Sequence, residues 1–444
     1  NVPGPRYTSY PTVPYWDTKG FSLPVWEESI RSSLKASSSG DGMSIYIHLP
    51  FCESLCTYCG CNTRITVNHA VEQPYVKALL LEWQMYLDLS DGPPRICEIH
   101  LGGGTPPFFS PENLARLLVQ ILSTSVISEK AEFSFEAHPG NTSTEHLQTL
   151  YDLGFRRISL GIQDFDPYVQ ELVNRIQPFE KVLAVTEEAR RIGYTSVNYD
   201  LIYGLPGQTV SSVLGTIKQV SSLKPDRIAF YSYAHIPWIK PGQRKFTAND
   251  LPTGKEKGLL YEAGRAGLQM AGYEEIGMDH FALQSDSLYR AAENKQLHRN
   301  FMGYTHRYTP LLIGLGVSAI SETSNCYAQN EKKVEDYYRS ILEGRLPVFK
   351  GHVLTAADQI LRKHILRIIC TMETSWDDLS MQCDEVFDAL GRLREMEDDG
   401  LLVIGSSSLH VEEKGRPFLR NICMAFDARL WAEMPQSQIF SKTV

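Results

Sequence analysis

The segment Ser44-Ile-Tyr-Ile-His-Leu-Pro-Phe-Cys-Glu-Ser-Leu-Cys-Thr-Tyr-Cys-Gly-Cys61 joins a β-type run, Ser44–Leu49, to a loop crowded with thiols. Cys52, Cys56, Cys59 and Cys61 fall within ten residues, whereas the other cysteines of the chain's nine are scattered. The C-x3-C-x2-C spacing of the first three brings three thiolates around one loop. That suits three corners of a cubane iron-sulfur cluster and leaves the fourth iron open to a ligand. A structural zinc site calls for four protein ligands, usually on paired C-x2-C knuckles, which this spacing does not supply. Disulfides are disfavoured, because neighbours this close pair poorly and nothing else in the chain has a secreted character.

The run before the loop is the first of six. Ser44–Leu49, Cys97–Leu101, Glu132–Glu136, Arg157–Ile162, Ser196–Ile202 and Arg227–Tyr233 all read as short strands ending in polar or glycine-rich residues. Helical stretches separate them, among them Gln73–Leu89, Pro111–Leu122 and Thr144–Leu153, the last closed by Gly154. This alternation predicts an α/β fold with a parallel sheet and right-handed crossovers, and six units rather than eight predict an incomplete (β/α)6 barrel of the TIM type. In such barrels chemistry sits at the C-terminal ends of the strands, and the cysteine loop falls at one of them.

Residues 249–344 read as an extension of this core, with a helix over Lys255–Ala271 and an apolar run over Leu311–Ile320. From Leu354 the pattern changes to helices over Asp358–Cys370 and Asp384–Glu397, then a hairpin over Leu402–Val411. That order resembles a winged-helix module, but Glu395, Glu397, Asp398 and Asp399 would repel phosphates, so a lid or docking role is expected rather than DNA binding. The domain reading is an N-terminal arm over 1–36, a catalytic barrel and extension over 37–350, and a lid domain over 351–444. Ser37–Gly42 is expected as the linker after the arm.

The formal charge of −9, with 21% charged and 43% hydrophobic residues, describes an ordinary globular chain and speaks against a nucleic-acid binder. No run is long and apolar enough to cross a bilayer, no signal peptide is evident, and cluster-type cysteine usage needs reducing conditions. A cytoplasmic protein without a membrane span is the expectation.

The cysteine loop resembles the signature of the radical S-adenosylmethionine (SAM) superfamily. Gly60-Cys61 after the third ligand and Gly4-Pro-Arg-Tyr-Thr-Ser-Tyr-Pro-Thr12 narrow the resemblance to the oxygen-independent coproporphyrinogen III oxidases. His298-Arg-Asn300 and Lys414-Gly-Arg-Pro-Phe-Leu-Arg-Asn421 are similar to further phrases of that family. The resemblance implies a 4Fe-4S cluster on Cys52, Cys56 and Cys59, with SAM on the open iron and a second SAM beside it.

It implies, residue by residue, that Tyr46, Tyr58, Gly103, Gly104 and Thr105 lie around the first SAM, with the run Gly102-Gly-Gly-Thr-Pro106 taking its amino group. Glu136 would accept its ribose hydroxyls and Ile320 would pack on its adenine. The positions Gln163, Asp164, Arg175, Asp200 and Ala234 would hold the second SAM. Cys61 would face the reactive end, and Tyr46 and His48 would stand near it, on the same side of the first strand by alternation. Each has an ordinary alternative. Glu136 could pair with Arg156 or Arg157, Asp200 could be a buried anchor, Arg175 a solvated helix residue, His48 a core histidine bonded to backbone, and Cys61 and Ile320 simply packed. Pro107 and His138 depart from the family pattern.

The implied activity is conversion of coproporphyrinogen III to protoporphyrinogen IX. A 5′-deoxyadenosyl radical would take hydrogen from the ring A and B propionates, after which each would lose carbon dioxide, pass one electron to an acceptor and become a vinyl group. Reduced flavodoxin or ferredoxin is the expected electron donor, a monomer the expected state, and Arg6, Arg244, Lys245 and Arg299 are plausible propionate partners. The alternatives are a haem-trafficking homologue or radical methyltransferase of the same subgroup, and a non-catalytic iron-sulfur electron-transfer protein. Cys61 speaks against the trafficking homologue, which typically has phenylalanine there.

Overall fold

The computed structural model describes residues 2–435 and 439–441. Its main sheet contains the six expected strands as consecutive parallel neighbours: β1 (Met43–Leu49), β2 (Arg95–Gly103), β3 (Val126–Ala137), β4 (Phe155–Gln163), β5 (Ser196–Tyr203) and β6 (Arg227–Ser232). β1 is buried at all but one position, with Ile45, Ile47 and Leu49 alternating with Ser44, Tyr46 and His48, so one face packs into the core and the other carries polar groups. The intervening helices include Glu72–Leu87, Pro111–Ser123, Thr144–Asp152, Phe179–Ile192 and Val210–Leu223. Ser110, Ser143 and Thr209 cap three of them, and Gly154 ends Thr144–Asp152 at φ +97° as the sequence led us to expect.

The sheet is wider than the sequence pattern alone defined. Leu312–Leu315 lies parallel to β1 on its free side, followed by the antiparallel strands Ile320–Glu322, Cys326–Asn330 and Val348–Val353. Beyond β6 come the antiparallel His280–Ala282 and Glu274–Gly277, giving twelve strands. The helix Leu23–Ser38 runs into the segment expected as a linker. Trp26, Ile30 and Leu34 pack into the main core, and Ser37 and Ser38 turn their hydroxyls onto the Leu34 carbonyl.

A second apolar core forms from three distant parts of the chain: Tyr7 and Tyr10, the segment from Ile276 to Tyr304, and the C-terminal elements from Leu361 to Phe426. The C-terminal part contains the helix Ala356–Thr371 and a three-stranded antiparallel sheet of Glu373–Ser375, Ser408–Val411 and Leu402–Ile404. The helix expected over Asp384–Glu397 is two, Asp384–Arg392 and Arg394–Asp398. Arg420 donates to the carbonyls of Gly4 and Pro5, and Tyr7 to Asp427 at 3.0 Å, so the N-terminal residues are held by the C-terminal module. Among the described residues no helix is long and apolar enough to cross a membrane.

Candidate active site

The cysteine loop is tied at both ends. Phe51–Cys52 pairs with Arg64–Ile65, Arg64 N donates to Pro50 O at 2.7 Å, and Thr66 N to Cys52 O at 2.9 Å. In between, Thr57 N donates to Val173 O at 3.0 Å. Cys52, Cys56 and Cys59 are half-buried and Cys61 is exposed. Burial pushes the Cys52 thiol up to about 11, whereas a hydrogen bond from Cys61 pulls Cys59 down to about 6 and correspondingly pushes Cys61 up. Among the described residues no three His, Cys, Asp or Glu side chains converge on a single-ion site.

Two donors face these sulfurs. Thr105 Oγ1 lies 3.3 Å from Cys52 Sγ, and Arg175 Nη1 lies 3.7 Å from Cys56 Sγ. An iron-sulfur cluster is tuned by hydroxyl and guanidinium bonds of this kind to its sulfurs. Three loop thiols with donors already aimed at two of them fit a cluster.

The glycine run is pressed against β1. An added Cβ would stand 2.9 Å from Tyr46 Cε2 at Gly102, 2.9 Å from the His48 ring at Gly103 and 2.7 Å from the Pro50 carbonyl at Gly104, and Gly103 has φ +116°. Only glycine allows this approach. Gly103 N donates to Glu136 Oε2 at 3.2 Å, and Glu136 Oε1 lies 3.6 Å from His100 Nε2. The alternative ion pairs are not formed: Arg157 pairs with Glu132 at 2.8 Å, and Arg156 bonds backbone carbonyls. Glu136 therefore keeps acceptor capacity, with a side chain 44% exposed at the strand end.

His48 donates Nε2–H to the Asn62 carbonyl at 2.8 Å, since a carbonyl can only accept. Its Nδ1 is then the acceptor for Tyr46 Oη at 3.0 Å. Burial holds this imidazole below its ordinary range, so it stays neutral and fastens β1 to the residue after Cys61. Tyr46 pairs across β1 with Gly314, where a Cβ would meet Ile320 O at 2.5 Å. Ile320 is half-buried and packs towards Trp16, Tyr327 and Leu354.

The second set converges over Gly161. β4 bulges between Gly161 and Gln163, and Gln163 takes φ +68°. A Cβ on Gly161 would meet Gln163 Nε2 at 2.8 Å and Arg175 Nη2 at 2.9 Å, and Arg175 also donates to the Gly161 carbonyl. Bulges of this kind re-aim side chains at sites. Asp200 accepts from Ser159 at 2.8 Å and Asn198 at 2.9 Å, and burial raises its pKa to about 6. Glu136 and Asp200 line one cavity of about 190 Å³ within the sheet's curve, with His100, Ser159, Tyr231 and His280. Asp164 is turned away: it is buried against Gln208 and Thr216, so its carboxylate anchors the strand end and does not face Arg175.

Gln243 belongs to no motif that sequence reading singles out. It is buried and donates to both Tyr58 O, at 2.8 Å, and Ala234 O, at 3.2 Å, joining the cysteine loop to the end of β6. Lys240 Nζ reaches the Cys61 carbonyl at 2.9 Å. His138 accepts from Gly140 N at 2.9 Å, and burial holds its pKa down to about 3, so it is a neutral turn cap. His280 Nδ1 donates to Met278 O at 2.9 Å, which spends that nitrogen on backbone rather than on a metal. The four cations named as propionate partners fall into two groups: Arg6 and Arg299 both lie near Tyr231, whereas Arg244 and Lys245 lie on another part of the surface. Arg6 bonds the Ser232 carbonyl, Arg299 is buried over the Tyr304 ring, and Arg244 and Lys245 are exposed beside the cysteine loop.

With this geometry in hand, residues 46–220 match the model of the radical SAM superfamily, the class that the sheet and cysteine loop define. The chain is 38% identical to an oxygen-independent coproporphyrinogen III oxidase of Escherichia coli, over all of this chain and 96% of the relative. It is 37% identical to one of Helicobacter pylori, over 96% and 94%. The solved structure of the Escherichia coli coproporphyrinogen III oxidase HemN, a radical SAM enzyme, superposes with a TM-score of 0.89 at 38% identity, covering 95% of this chain and 97% of that one. The chain belongs to the family of oxygen-independent coproporphyrinogen III oxidases.

Proposed function

We propose that this chain oxidises coproporphyrinogen III without oxygen, by radical SAM chemistry, in haem synthesis. The observation that carries the reading is similarity over the full length to coproporphyrinogen III oxidases, in a chain whose cysteine loop and glycine run meet at adjoining strand ends. Cys52, Cys56 and Cys59 would hold a 4Fe-4S cluster, leaving one iron for SAM. When bound, cluster and SAM supply a 5′-deoxyadenosyl radical able to take hydrogen from a propionate side chain next to its pyrrole. Rings A and B would each lose one hydrogen atom to that radical, one carboxylate as carbon dioxide and one electron to a one-electron acceptor, giving the two vinyl groups of protoporphyrinogen IX.

The chain's own groups position and seal. Tyr46, Tyr58, Gly103, Gly104, Thr105, Glu136 and Ile320 surround the first SAM, with Glu136 accepting ribose hydroxyls. A second SAM sits on Gln163, Arg175, Asp200 and Ala234, supported by the convergence of Gln163 and Arg175 over Gly161. Cys61 faces the reacting carbon, with Tyr46 and His48 behind it. The six parallel strands act as an incomplete (β/α)6 barrel in a unit of residues 37–350. Residues 351–444 form a winged-helix-like lid and residues 1–36 an arm. The protein works as a cytoplasmic monomer, and a reduced flavodoxin or ferredoxin provides electrons.

The test is anaerobic turnover with reconstituted cluster, SAM, dithionite and coproporphyrinogen III, followed by mass spectrometry. Two successive losses of the mass of formic acid, with 5′-deoxyadenosine formed alongside, are expected. Deoxyadenosine without decarboxylation would move the chain to another radical SAM activity, and absence of deoxyadenosine would leave the electron-transfer reading.

A further inference from the structure

The outer side of the cysteine loop carries an apolar patch. Leu55 is 40% exposed, and Ile176, Trp238 and Ile239 are 66%, 45% and 53% exposed. Three contacts gather them around Leu55. Asn174 Nδ2 donates to Leu55 O at 2.8 Å, which brings Ile176 alongside, and Arg175 between them touches Cys56. A Cβ on Gly242 would stand 3.1 Å from Leu55 Cδ2, so the segment 236–245 lies on the loop. Lys240 N donates to Ile236 O at 2.9 Å, folding Trp238 and Ile239 out as the crest of a turn.

The same segment places two cations at the rim. Arg244 Nε donates to Pro237 O at 3.1 Å and Lys245 Nζ to Leu172 O at 2.9 Å, and neither forms an ion pair among the described residues. Glu53, the acidic residue of the loop, leans towards His69 at 3.7 Å, leaving Glu171 as the acidic neighbour. A chain of net charge −9 thus presents exposed hydrophobic side chains, and two exposed cations outside any ion pair among the described residues, where its surface comes to the cluster loop. An apolar centre with a charged rim is the anatomy of a transient protein interface, and the rim charge selects the sign of the partner.

We propose that this patch docks an acidic, low-potential electron-transfer protein, which passes one electron through the Leu55 side of the loop and is itself oxidised by one electron. The proposal rests on the radical SAM reading of the site. The two cations bond Pro237 and Leu172 and lie outside the lining of the cavity that holds Glu136 and Asp200, so donor and tetrapyrrole approach from different directions.

The test uses full-length, cluster-loaded enzyme with a bacterial flavodoxin as probe. In R244E/K245E, calorimetric affinity for oxidised flavodoxin is expected to fall about tenfold at low salt, with a shallower salt dependence. Cluster bleaching by reduced flavodoxin should slow by a similar factor, while bleaching by dithionite stays unchanged. W238S is expected to weaken flavodoxin binding at high salt as well. Unchanged flavodoxin binding in both variants overturns the proposal. So does an equal loss of dithionite-driven turnover and porphyrin binding, which would assign the cations to the tetrapyrrole. A wild type that makes deoxyadenosine with flavodoxin but leaves coproporphyrinogen intact would refute the substrate reading while leaving the docking surface standing.

Discussion

Gly104 lies against Pro50 so closely that a single added carbon would stand 2.7 Å from the Pro50 carbonyl carbon and 2.8 Å from the Phe51 oxygen. Both obstacles are backbone, and the chain they belong to runs directly into Cys52. A methyl group at Gly104 cannot be accommodated by a rotamer change, so it must push the start of the cysteine loop away from Thr105. Gly60, inside the loop, has nothing within 4 Å of its added Cβ. G104A is therefore expected to lose most of its iron and sulfide after reconstitution, and G60A to load as the wild type does. Equal loading of the two variants would contradict the steric account.

Arg175 bonds the Gly161 carbonyl with one amino group and faces Cys56 Sγ with the other. A cation donating to a cluster thiolate favours the more negative, reduced state. R175M should lower the midpoint potential of the SAM-free cluster by ~50 mV, the scale of a tenfold one-electron effect, and R175K should recover part of it. An EPR-monitored redox titration checks this without turnover.

Asp200 titrates near 6, raised mainly by burial against the pull of Ser159 and Asn198. In the proposed second SAM site it would be needed ionised, so binding through it should weaken as pH falls from 7 to 5. Equilibrium dialysis of cluster-loaded enzyme is expected to find two SAM per chain at pH 7.5 and nearer one at pH 5. D200N should give the lower number at both.

What the sequence disclosed follows physical lines. β1 to β6 were legible because apolar residues alternate with polar ones along short runs, as in Phe133-Ser-Phe135 and Val197-Asn-Tyr-Asp-Leu201, and capped helices punctuate them. The partner of β1 was not: Leu312–Leu315 reads as apolar, but nothing local says that it lies parallel to a strand far away in the chain. Ser37 and Ser38 read as linker residues because serine hydroxyls usually compete with helices, whereas here both are satisfied by Leu34 O inside one. Asp164 and Gln163 are adjacent in sequence, and only the bulge at the end of β4 reveals that they serve different surroundings. Gln243 carries no motif at all, since its role comes from two backbone carbonyls brought together by folding.

Glu82 offers the sharpest test of how the sheet's added strand is fastened. Its buried carboxyl accepts from Gly316 N at 2.8 Å, Tyr337 Oη at 2.7 Å and Asn330 Nδ2 at 2.6 Å, tying the helix Glu72–Leu87 to the chain just beyond Leu312–Leu315. Burial raises its pKa to about 7, with those bonds opposing. A carboxyl raised on folding binds its proton more tightly in the native state. The wild type therefore loses stability as pH climbs from the unfolded value near 4.5 towards 7, in total about 3 kcal/mol. Glutamine cannot ionise, and it replaces one acceptor by a donor, at a cost of about 1–2 kcal/mol. E82Q should accordingly be less stable than the wild type at pH 5, and that gap should close or reverse by pH 8. Urea denaturation at the two pH values measures the difference, and a gap that stays constant would mean that Glu82 is ionised throughout.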